Sequence, residues 1–117
     1  MEIKEENYTV RYDESGASIT CSGVLDLRGR EGYAEIVELL GRAAESDPPS
    51  GKITLDMKNL EFLNSSGITT LGGFIIKLRK KGDTKLTILC SNSYSWQPRS
   101  MKGLGKLMPG NLEILFD

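Results

Sequence analysis

The hydrophobic period of the chain changes in its middle, and the change falls on four polar residues. Ile53-Thr54-Leu55-Asp56-Met57 alternates with the two-residue period of a strand. Ile68, Leu71, Phe74, Ile75 and Leu78 recur at the three-and-four spacing of a helix. Between them, Asn64-Ser65-Ser66-Gly67 stands where a strand hands over to a helix. A helix start leaves backbone N–H groups without partners, and the helix dipole favours negative charge there. A further strand-like run, Lys85–Cys90, follows. Strands that alternate with helices imply a mostly parallel sheet.

The flanking segments extend that pattern. Residues 8–12 and 17–24 are rich in β-formers, and Asp13-Glu14-Ser15-Gly16 between them has turn chemistry, which predicts a hairpin. The first few residues are expected to fray. Residues 31–45 carry a helical stripe of Tyr33, Ile36, Val37, Leu40, Ala43 and Ala44, ended by Ser46-Asp47-Pro48-Pro49-Ser50-Gly51. Residues 52–57 read as a strand, and 58–63 as a short connection that Phe62 anchors into the core. The helix over 68–81 gathers Lys77, Arg79, Lys80 and Lys81 at its C-terminal end, where they suit the dipole. Gly72-Gly73 in its middle is costly against alanine, so it reads as close packing on another element. A short helix over 96–108, capped by Ser95, sets Gln97, Met101, Leu104 and Met108 on one side. Leu112–Phe116 is the last strand. The expected fold is α/β: one domain over 1–117, with a mixed, mostly parallel sheet, an N-terminal hairpin and the order β-β-α-β-α-β-α-β.

Composition removes several classes of function. The 117 residues include 15 basic and 16 acidic side chains, so no basic footprint for nucleic acid or an anionic membrane exists. No apolar run approaches a membrane span, and the acidic start Met1-Glu2-Ile3-Lys4-Glu5-Glu6 is not a signal peptide. Cys21 and Cys90 lie in separate strand-like runs and read as buried free thiols, which places the chain in the cytoplasm. There is no histidine, the commonest general base and metal ligand. No catalytic set and no cofactor is implied. Asp56 ends a strand but lacks the acidic pair and lysine of a phospho-accepting receiver. Leu104-Gly105-Lys106 lacks the spacing of a phosphate-binding loop.

Asn64-Ser65-Ser66-Gly67 can be a plain helix cap, worth about 1 kcal/mol. The same place also suits a phosphate on a serine hydroxyl, which would meet free N–H groups and the positive end of the dipole. The run from Ile53 to Met57, then Phe62-Leu63-Asn64-Ser65-Ser66-Gly67-Ile68 and Leu71, resembles the signature of STAS domains, in particular the bacterial anti-sigma-factor antagonists (SpoIIAA-like). Gly23-Val24-Leu25-Asp26 resembles the family's Gly-x-Leu-Asp before its first helix. The resemblance spans about residues 8 to 116.

That resemblance implies a protein-binding switch that is not an enzyme but the substrate of one. The implied phosphorylation site is Ser65. The partner is a serine kinase of the GHKL type, often itself an anti-sigma factor, and a PP2C-type phosphatase reverses the step. Unphosphorylated protein binds the partner, through Asp26, Asn64, Ser65, Ser66, Gly67, Ile68 and Thr69. Asn64 stands where the family usually has Asp, which keeps the cap geometry and drops a charge. Two other readings stay open: a non-switching scaffold or assembly module of the same fold, and a small-ligand or nucleotide binder. Neither nucleic acid nor membrane is expected as a partner, and oligomeric state is open.

Overall fold

Six strands form one sheet whose spatial order follows the chain: β1 (Glu2–Lys4), β2 (Tyr8–Asp13), β3 (Ser18–Leu25), β4 (Lys52–Leu63), β5 (Lys85–Cys90) and β6 (Leu112–Phe116). β1 to β3 pair antiparallel, and β3 to β6 pair parallel. Helices α1 (Gly29–Gly32) and α2 (Ala34–Glu45) join β3 to β4, α3 (Ser65–Lys81) joins β4 to β5, and α4 (Trp96–Leu104) joins β5 to β6. The computed structural model describes residues 1–117. No helix is long and apolar enough to cross a membrane.

Strand alternation sorts the sheet into two unlike faces. Val10, Tyr12, Ile19, Cys21, Ile53, Leu55, Met57, Leu86, Ile88 and Cys90 are all buried. The residues between them are exposed or half-buried, among them Arg11, Thr20, Thr54, Asp56 and Thr87. The helices therefore cover one face. From α2 they bury Ile36, Leu39, Leu40, Ala43 and Ala44, and from α3 Leu71, Phe74, Ile75 and Leu78. Val37, expected in the stripe, is 46% exposed. Both thiols are free and buried, and burial pushes them up to about 12 for Cys21 and about 11 for Cys90.

Several expectations need correction. The N-terminus is paired into the sheet rather than left as a loose end. Ile3 is buried in β1, and the Met1 ammonium donates to the Tyr12 carbonyl at 3.2 Å. β4 does not stop at Met57 but runs to Leu63, so residues 58–63 are strand, not connection. Its register with β3 shifts between Thr20 and Ser22 and again between Gly23 and Val24. The irregularity passes the inward positions to Leu60 and Leu63 and turns Phe62, 43% exposed, out to solvent. Gly23 sits at the second shift with φ +89°, where a Cβ would lie 2.2 Å from the Asn7 carbonyl oxygen.

Beyond Asp56, β4 has no partner on the β5 side, because the last pair is Asp56 with Leu89. Side chains of α4 complete its hydrogen bonds. Gln97 is fully buried, and its Nε2 donates to the Met57 and Leu60 carbonyls at 2.8 and 2.9 Å. Its Oε1 accepts from Ser91 N–H at 2.8 Å. Trp96 Nε1 donates to the Leu60 carbonyl at 3.2 Å. α4 ends at Leu104, short of Met108, and Ser95 makes no side-chain cap. Gln97, Met101, Leu104 and Met108 are nonetheless all buried. Nor do close neighbours demand Gly72-Gly73. A Cβ on Gly72 would meet Leu107 at an ordinary 3.6 Å, and one on Gly73 would meet nothing within 4 Å.

Candidate functional site

β4 and α3 are joined through one residue, Asn64, and its side chain is fully engaged. Its Oδ1 accepts from Gly67 N–H at 2.9 Å, which caps the helix. The same oxygen accepts from the Tyr33 hydroxyl at 2.6 Å. Its Nδ2 donates to the Leu27 carbonyl at 2.6 Å and to Asp26 Oδ1 at 3.1 Å. Asn64 N–H donates to the Leu25 carbonyl at 3.1 Å. The loop after β3 and the first turn of α3 thus form one hydrogen-bonded unit. The donor side of this network suits an amide and not a carboxylate, because a carboxylate has no N–H for Leu27 or Asp26. Asn64 is therefore more than an aspartate without its charge.

Tyr33 is the member that sequence reasoning missed. Its spacing places it in the apolar helical stripe, yet it lies between α1 and α2, buried, with its hydroxyl on Asn64 and the Leu25 carbonyl (3.2 Å). Burial raises its phenol above the usual tyrosine value. The available signal was a phenol on an otherwise aliphatic stripe, since a buried Tyr hydroxyl needs a partner. Gly67 makes room for it: a Cβ there would lie 2.2 Å from Leu63 Cδ1 and 2.7 Å from the Tyr33 hydroxyl.

The expected site residues fall into three groups. Asp26, Ser65 and Thr69 are exposed; Asn64, Ser66 and Ile68 are half-buried; Gly67 is buried and offers a partner no surface. Ser65 is the first residue of α3, and no neighbour takes its hydroxyl. Thr69 and Thr70 turn their hydroxyls back to the Ser65 and Ser66 carbonyls, at 3.1 and 2.9 Å. Gly67 N–H is taken by Asn64 Oδ1 and Ile68 N–H by the Asn64 carbonyl, which leaves the Ser65 and Ser66 amides as the open donors of the first turn. No group of three or more His, Cys, Asp or Glu residues is placed to hold a metal.

No family model matches the sequence. No curated protein matches it significantly either. Solved structures do share its fold. SiaC of Pseudomonas aeruginosa is similar over 100% of this chain and 98% of its own, with TM-score 0.73 and 11% identity. A chain in the complex of the P. aeruginosa diguanylate cyclase SiaD with its activator SiaC matches over 100% and 99%, with TM-score 0.72 and 11% identity. An anti-sigma factor antagonist from Mycobacterium paratuberculosis matches over 97% and 82%, with TM-score 0.62 and 18% identity. The fold is thus the STAS (SpoIIAA-like) fold that the motifs resembled, and the neighbours that carry it are regulatory proteins. At these identities the likeness is one of fold.

Proposed function

We propose that this chain is a protein-interaction switch, not an enzyme, and that phosphorylation of Ser65 sets its state. The observation that carries the reading is the exposed, unpartnered Ser65 hydroxyl at the first position of a 17-residue helix, beside two open backbone amides. A phosphate there gains from the amides and the dipole, so it leaves the fold intact. It adds close to two negative charges to a surface that also presents Asp26 and Thr69, and a partner seated on that surface is repelled. Unphosphorylated protein binds; phosphorylated protein releases.

The partner class follows from the motif resemblance: a GHKL-type serine kinase that is also an anti-sigma factor, opposed by a PP2C-type phosphatase. The fold neighbours support the coarser reading of a partner-binding module. SiaC, an activator of a diguanylate cyclase, brings a second class of partner, an enzyme that the module turns on. The test is intact mass of the protein from its own cells, with peptide mapping across residues 60–77. A phosphate on Ser65 is the expected result, and Ser65→Asp should then lose a partner that Ser65→Ala retains. Unmodified Ser65 in growth and in stress, with Ser65→Asp still binding, would leave a non-switching scaffold.

A further inference from the structure

Between α2 and α3 runs an open trough of about 620 Å³ that meets the Ser65 surface at Ser66 and Thr69 and continues away from it to Lys77. Its floor is Leu40 and Phe74, with the exposed Val37 on one wall. Cations stand at both ends. The two helices run side by side in the same sense, since Tyr33 meets Asn64 and Gly67 at one end while Gly41 faces Lys77 at the other. Arg30 therefore marks the Ser66 end and Lys77 the far end. Neither pairs with a carboxylate, and no acidic residue lines the trough. Glu38, on the outer flank of α2, already has Arg42 at 3.6 Å.

The trough is also kept empty at a cost. Gly41 and Gly73 lie inside helices, where glycine is about 1 kcal/mol worse than alanine. Neither has a positive φ. A Cβ on Gly73 would touch nothing within 4 Å, and one on Gly41 only the end of Lys77 at 3.5 Å. Packing does not require these glycines, and what they preserve is width.

The geometry points to this trough as the seat of an acidic amphipathic helix from a partner protein. The span from Ser66 to Lys77 is about 16 Å at 1.5 Å per residue, the length of three helical turns. A small ligand wants most of its surface enclosed, which an open trough does not give. A helix laid between two helices needs only its apolar face covered, with anchors at i, i+3/i+4 and i+7. Carboxylates flanking that face would meet Arg30 and Lys77. The inference rests on the reading of the chain as an interaction module and does not depend on a phosphate at Ser65.

The test is a phage-displayed library on a stable helical scaffold with one randomised face, selected on the full chain alone, with Gly73→Leu kept for comparison of the winners. Gly73→Leu fills open space and improves helix propensity, so its melting temperature should hold or rise. Winners should be apolar faces flanked by Glu or Asp. They should shift the backbone amide resonances of Ala34, Val37, Gly41, Thr69 and Gly73, and bind Gly73→Leu at least tenfold more weakly. Lys77→Glu should weaken binding several-fold, as should exchange of the peptide's Glu for Lys. No enrichment, basic winners, or binding unchanged by Gly73→Leu would overturn the proposal. So would trough amides that shift on raising protein concentration alone, which gives the face to a second copy. Saturation of the trough by dodecanoate, with no helical winner, would give it to a small amphiphile and likewise overturn the proposal. Should the helices fail while Ser65→Asp still releases the natural partner, only the trough assignment falls. Should they bind while Ser65 stays unmodified and Ser65→Asp keeps its partner, only the switch falls.

Discussion

Replacing Asn64 by aspartate gives a sharp test of the site, because intuition about helix caps points the other way. Asp caps as well as Asn and adds charge that the dipole favours by about 0.5 kcal/mol. In this structure the amide also donates to the Leu27 carbonyl at 2.6 Å and to Asp26 at 3.1 Å. Asn64→Asp removes both donors. The half-buried Leu27 carbonyl then lacks its partner, at a cost of about 1–3 kcal/mol. Two carboxylates also face each other, and because Asp26 is exposed the repulsion is screened to about 1 kcal/mol. The net expectation is a loss of about 2–3 kcal/mol at pH 7, or roughly 8–12 °C in melting temperature for a chain of this size. The sign with pH follows from linkage. The introduced carboxylate holds its proton more tightly in the folded chain than in the unfolded one. The deficit should therefore be small below about pH 4 and grow to its full value as pH rises to neutral. Urea denaturation at pH 4 and pH 7, followed by Trp96 fluorescence, measures it. Adding Asp26→Asn to Asn64→Asp should recover the repulsive part, about 1 kcal/mol, more than Asp26→Asn gives on its own. An Asn64→Asp variant as stable as the parent at pH 7, or a deficit equal at both pH values, would refute the account of the amide.

Other substitutions probe the neighbouring pieces. Gly67→Ala should destabilise by about 1–3 kcal/mol despite its better helix propensity, because its Cβ would fall within 2.7 Å of Tyr33 and Leu63 atoms; thermal melts decide it. Gln97→Leu keeps the volume but strips hydrogen bonds from Ser91, Met57 and Leu60, so a loss of about 2–4 kcal/mol is expected in chemical denaturation. Phe62→Ser should change stability by less than about 1 kcal/mol, since the ring is 43% exposed, whereas a core anchor would cost several times more. With both thiols raised by burial to about 12 and about 11, the unfolded chain ionises first. Stability should fall as pH climbs from about 9 toward 11–12, and a thiol reagent at pH 8 should label neither cysteine in the folded protein.

The start of α3 was legible because capping is local: Asn64 bonds to an amide three residues on, and the apolar spacing that follows is regular. β5 and β6 carry enough alternation to mark both their ends. The failures share a cause, in that the deciding contact is distant in sequence. β1 is three residues long, too short for a period, and exists because Ile3 pairs with Val10. The second half of β4 lost its alternation to a register shift that only β3 imposes, and Phe62 was misplaced with it. Asn64 could be placed at a helix start but not joined to Tyr33, Leu27 and Asp26, which are 31 to 38 residues away. Gly73 could be marked as costly, while its purpose depends on which helix lies opposite.

The brace that Gln97 provides reaches beyond packing. The strand segment it holds ends at Leu63, one residue before Asn64, and no β5 partner supports that segment. α4 is nine residues long, contains Pro98 and Gly103, and has no side-chain cap. Local opening of α4 below the free energy of global unfolding is therefore the expectation that amide exchange tests. Each opening of α4 releases the Met57 and Leu60 carbonyls together and loosens the strand tip from which α3 is hung. The amides of residues 60–67 should therefore exchange hydrogen at the rate set by α4, although they belong to the longest strand and the longest helix of the fold. The alertness of the Ser65 surface is in this sense held by a helix on the far side of the strand, and sequence changes in α4 can retune it without touching the surface itself.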